Sequence, residues 1–157
     1  MTSTAGPPLL EPYMAAIAER AQAGLAPLPA TVAAAGRRLL ARLAPPQWQL
    51  EWYLPKWLGD AFGLSPDTTA SLVLANVYGL AYIALQDKIA DEGLAADDQV
   101  TTVSLGAALY HRWFRQYVAL CPAGSRFWNC RRLYAAVALG NGRQQRAAAR
   151  RLCHPAA

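Results

Sequence analysis

Acidic residues run out early in this chain. The last of its ten Asp and Glu is Asp98, and none follows as far as Ala157. Residues 1–100 hold six Lys/Arg against ten Asp/Glu, a net of −4, and residues 101–157 hold nine Arg, a net of +9, which together give the whole-chain charge of +5. The C-terminal third therefore has no carboxylate to offer a metal ion or a proton transfer. Cysteine is equally scarce. Cys121, Cys130 and Cys153 are odd in number and form no CxxC pair, which excludes a conventional disulfide framework. With His154 they match no common zinc spacing, so they read as buried or incidental thiols. The start, "MTSTAGPPLLEPYM", lacks the basic segment and apolar core of a secretory leader, so a cytoplasmic location is expected. Glycine and proline, 11 each, are too scattered for a low-complexity chain, and no internal repeat is visible.

What remains is apolar and helix-forming. The 157 residues are 54% apolar and 16% charged, enough for one domain with a real core. Alanine, leucine, arginine and glutamine dominate and β signals are sparse, so the expected fold is all-α, a helical bundle. Residues 1–12 read as a flexible lead-in, 13–139 as a partial helical bundle domain and 140–157 as a basic tail. Tyr13–Leu25 and Ala30–Leu43 read as the first two helices, separated by Pro27 and Pro29. A third follows Pro45-Pro46, anchored by Trp48, Trp52 and Phe62 and kinked or broken at Pro55. Ser65-Pro66-Asp67 is a helix start, and the helix it opens should run to Glu92 and stop at Gly93. A fifth helix is expected over Ala96–Leu120 and a sixth over "SRFWNCRRLYAAVAL".

The fourth helix is unusual. From Thr68 to Gln86 it carries no charge. With Asp87 taken as zero on a helical wheel of about 100° per residue, Asn76, Leu80, Ile83, Ala84 and Asp91 all fall within about 60°. Leu74, Tyr78, Tyr82 and Leu85 lie on the other side. A helix apolar all round is buried in a bundle or in a membrane. Asn76, Tyr78, Gly79 and Tyr82, with acidic flanks at both ends, argue against a span.

Asp87 and Asp91 sit four residues apart, so they share a face, and they stand at the negative end of the helix dipole. Both effects disfavour the bare helix. A Mg²⁺ ion would relieve them, taking one or two carboxylates and leaving positions for water and substrate phosphates. The spacing by itself also describes an ordinary solvated helix end.

The segment "YLPKWLGDAFGLSPDTTASLVLANVYGLAYIALQDKIADE" resembles the N-terminal half of class I isoprenoid (terpenoid) synthases, over about residues 46–134. Asp87 matches the first aspartate of that family's DDxxD motif and Asp91 the last; Lys88 stands at the middle position. The resemblance implies Mg²⁺ held by Asp87 and Asp91, a prenyl diphosphate as substrate, and a pocket lined by Asn76, Leu80, Ile83 and Ala84. It also implies a second metal-binding box on a later helix. With no Asp or Glu after Asp98, that box is missing, and impaired catalysis is expected. The tail "GNGRQQRAAARRLCHPAA" does not continue the pattern. A break in the reading frame around Ala135–Gly140, leaving a half-domain and a foreign tail, would explain it.

Other residues draw blander readings. The five tryptophans fit helix packing, His111 is isolated, and Arg143, Arg146 and Arg150 describe a solvated basic tail without a base-reading module. The alternative to the synthase-like reading is a non-catalytic helical binding or scaffold protein. An uncovered half-core would then seek a second copy of the chain or a missing C-terminal half. No specific nucleic acid is expected as partner.

Overall fold

The computed structural model describes residues 12–45, 47–93 and 98–128. Five helices are formed and no strand among the described residues: α1 Pro12–Leu25, α2 Ala30–Arg42, α3 Gln49–Ala61, α4 Pro66–Glu92 and α5 Gln99–Leu120. The all-α expectation holds. Two compact units are present, residues 1–117 and 118–157. In the second, the described residues include a turn in which Ser125 N–H donates to Pro122 O, while Trp128 Nε1–H donates to Cys121 O at 2.9 Å. Most of the expected sixth helix, the basic tail and the lead-in lie outside the described residues.

Helix α4 is the axis of the first unit, and its ends are chemically marked. Ser65 Oγ accepts from Thr68 N–H, Pro66 occupies the first turn where its missing N–H is harmless, and Gly93 ends the helix at φ 73. Val73, Ala75, Val77, Tyr78 and Ala81 are almost wholly buried along it. It is the single helix, among the described residues, long and apolar enough to cross a membrane, and the helices around it cover much of that apolar surface. From α1, Met14, Ile17 and Leu25 join the same core, as do Leu39 and Leu40 from α2, Trp52 from α3 and Leu109 from α5. Burying a side chain of this size contributes about 1.5–3 kcal/mol, so this cluster is what holds the helices together.

Three close approaches fix the packing. Tyr78 Oη donates to Ala21 O at 3.0 Å, and Gly24 leaves room for its ring, since a Cβ there would overlap the hydroxyl. Gly36 on α2 admits Leu25 and Leu105, and Gly59 on α3 admits Thr69 of α4.

Helix α3 passes through Pro55 without breaking. A proline inside a helix offers no N–H to the carbonyl four residues earlier, here Glu51 O. The Asn76 side-chain amide, from α4, donates to that carbonyl. Two of the expected anchors behave differently. Trp52 is buried at 1% exposure, whereas Phe62 is 76% exposed. Phe62 caps the helix four residues after Leu58 and eight after Leu54, on the exposed side of α3, and Gly63 then turns the chain at φ 64.

Candidate functional site

The last two turns of α4 extend past the tightest part of the core. Ile83, Gln86, Asp87, Lys88, Ala90, Asp91 and Glu92 are all exposed there, while Leu85 is buried and Ile89 half-buried. Asp87 and Asp91 lie on one face, as their spacing requires. Neither carboxylate has an ion-pair or hydrogen-bond partner among the described residues. Lys88, which stands between them in sequence, pairs instead with Glu92 at 3.7 Å. The two negative charges thus remain uncompensated at the C-terminal end of the helix, where its dipole is also negative.

The four residues expected to line a pocket with them are divided. Asn76 is engaged with Glu51 on α3. Leu80 packs half-buried against the core. Ile83 is 51% exposed, on the same side as the aspartates. Ala84 lines a cleft to which neither aspartate contributes. The cause is geometric: the stripe runs the length of α4, and its upper part is covered by α3 while its lower part is open.

Two clefts flank the same end of α4. The larger, about 690 Å³, lies between α2, α4 and α5, with Arg38, Arg42 and Lys88 beside Leu39, Leu85 and Leu105. The smaller, about 490 Å³, lies between α4 and α5 and includes Tyr82, Gln86, Ile89, Val103 and Tyr110. At its aromatic end Tyr82 meets Tyr110 and Trp113 at centroid separations of 5.4 and 6.1 Å. Tyr78 and Tyr82 thus each face another helix, α1 and α5 respectively. The arginines of the larger cleft escaped the sequence reading, although Arg38 and Arg42 carry a detectable signal: two cations one helical turn apart on the polar side of α2.

Burial raises the Tyr78 phenol above its usual 10.0, with Arg112 and Arg20 acting in the opposite direction. As a buried group donating to a backbone carbonyl, it is a packing residue. No cluster of three or more His, Cys, Asp or Glu side chains occurs among the described residues. Asp87 and Asp91 are therefore two donors, a number that suits Mg²⁺ completed by water and phosphate oxygens but not a metal caged by protein alone. Comparison with protein-family profiles, curated proteins and solved structures finds no match to this chain.

Proposed function

We propose that this chain is a class I isoprenoid synthase-like protein that binds a prenyl diphosphate through Mg²⁺ held by Asp87 and Asp91. The observation that supports this reading is the uncompensated carboxylate pair. Two like charges share one open face at the wrong end of a helix dipole, and Lys88, between them in sequence, pairs with Glu92. A divalent ion supplies the missing counter-charge and, when bound, Lewis acidity toward a diphosphate leaving group. Asp87 and Asp91 would orient the headgroup. Ile83, exposed on the same face one turn back, offers the first apolar contact to the prenyl chain. The reading is one of binding, since no Asp or Glu after Asp98 supplies a second acidic box.

The test is thermal. Mg²⁺ with a prenyl diphosphate should raise the melting temperature of the full chain, by an amount that grows with ligand concentration. Asp87→Asn with Asp91→Asn should abolish the part of that shift that depends on Mg²⁺.

A specific feature favours a second, non-catalytic reading. Leu50, Leu54, Trp57, Leu58 and Phe62 are all at least 45% exposed and follow one another around the outer side of α3. A contiguous apolar strip of this kind marks an interaction surface. We assign it to a second copy of the chain, because pairing the same strip on two copies about a two-fold axis would cover it on both. Light scattering on the full chain should give twice the 16.9 kDa chain mass, falling to the monomer in Leu54→Glu with Trp57→Ser. A monomeric parent chain would remove this reading.

A further inference from the structure

We infer that the cleft between α2, α4 and α5 binds an anionic amphiphile, a single hydrocarbon chain ending in an oxyanion headgroup. Its floor is apolar: Leu39, Leu85 and Leu105 are 7%, 7% and 3% exposed, and Ile89 and Ala84 continue the surface half-buried. Its volume, about 690 Å³, lies within the range of about 300–1,000 Å³ usual for small-molecule sites. A hydrocarbon chain laid on this floor removes apolar surface from water on both sides.

The rim supplies the charge. Arg38 and Arg42 stand one turn apart on α2, with Lys88 opposite on α4 and the carboxylates of Glu92 and Asp98 on the same cleft. These acids do not neutralise the arginines. Glu92 is 3.7 Å from Lys88, and neither Arg38 nor Arg42 has a carboxylate within ion-pair distance among the described residues. Like charges at this spacing repel one another. An oxyanion between them removes the repulsion and accepts forked N–H donation from a planar guanidinium. A cationic headgroup would meet the same two arginines and be repelled. Because Asp87 and Asp91 line no part of this cleft, the site needs no metal and stands apart from the Mg²⁺ reading.

Calorimetric titration of the full chain in metal-free buffer tests this directly. Dodecanoate and dodecyl phosphate, each kept monomeric, should bind saturably at one site per chain. Inorganic phosphate should bind about tenfold or more weakly, for want of the apolar contribution. Dodecyltrimethylammonium should not bind. Arg38→Gln with Arg42→Gln, both at exposed positions, should weaken the two anionic amphiphiles by about tenfold or more. Ala35→Leu, which narrows the cleft without altering charge, should weaken both as well. Asp87→Asn with Asp91→Asn should leave both affinities unchanged. The inference is overturned by absence of saturable binding, by equal affinity for the cationic amphiphile, by equal affinity for inorganic phosphate, or by an arginine double variant that binds like the parent.

Discussion

Asn76 supplies the hydrogen bond that Pro55 withholds: its side-chain amide, on α4, donates to the Glu51 carbonyl that a non-proline residue at position 55 would have satisfied within α3. The proline would otherwise leave a partly buried acceptor empty, at a cost of about 1–3 kcal/mol. One polar residue in the uncharged run of α4 is thereby accounted for by packing.

This relationship predicts a coupled pair. Asn76→Ala should lower stability by about 1–3 kcal/mol in chemical denaturation. Pro55→Ala restores a backbone N–H, so the same Asn76→Ala change made on that background should cost much less. Simple additivity of the two substitutions would contradict the assignment.

A second pair is steric. Gly24→Ala should destabilise by about 1–3 kcal/mol, because its methyl would occupy the space of the Tyr78 hydroxyl. Tyr78→Phe loses the bond to Ala21 O, at about 1 kcal/mol, and removes the clashing atom. Gly24→Ala should therefore be milder in the Tyr78→Phe background.

Tyr78 also sets a pH dependence. Burial raises its pKa above 10.0 in the folded chain, so at higher pH the folded state retains a proton that the unfolded chain has lost. For this group stability then falls as ionisation is reached. The unfolded phenol ionises first, near 10.0, while the buried one still holds its proton, and that ionisation favours the unfolded chain.

 The contribution is thus fully present below 10.0 and declines as pH rises from 10.0 toward the folded pKa, where the unfolded chain binds fewer protons than the folded one. Melting temperatures measured from pH 8 to 12 should drop above about 10, and Tyr78→Phe should flatten part of that drop.

Thr69 is 3% exposed, and its hydroxyl has no hydrogen-bond partner among the described residues. Thr69→Val keeps the shape beside Gly59 and removes the unpaired polar group. It should be neutral or stabilising by up to about 1 kcal/mol in denaturant titration, whereas a loss of about 2 kcal/mol would show that the hydroxyl is satisfied in solution.

Much of the fold was legible in residue order, because helix ends are written locally. Ser65-Pro66 and Gly93 bracket α4, and Pro27 and Pro29 separate α1 from α2, through effects that act within a turn. The fate of individual side chains depended on neighbours distant in sequence. Asn76 lay on the same helical stripe as Asp87, but the demand for its amide arises at Glu51, through Pro55. A proline in a helix interior does announce an orphaned carbonyl, and that signal could have pointed to a donor elsewhere. Phe62 is aromatic like an anchor, yet it continues the exposed face of Leu54 and Leu58 and so stays outside. The cleft of Arg38 and Arg42 needs three helices to exist, and no single segment describes it. For Asp87 and Asp91, the shared face followed from spacing, while the surface available beside them depended on how far α3 covers α4.

The most direct measurement is a calorimetric titration of the full chain with a prenyl diphosphate, with and without Mg²⁺, in the parent and in Asp87→Asn with Asp91→Asn. The proposed role of the two aspartates predicts saturable binding that Mg²⁺ strengthens by about tenfold or more in the parent, a gain that the double variant loses and that the metal-free arginine cleft does not supply. Binding of equal strength without Mg²⁺, or unchanged by removing both carboxylates, would contradict it.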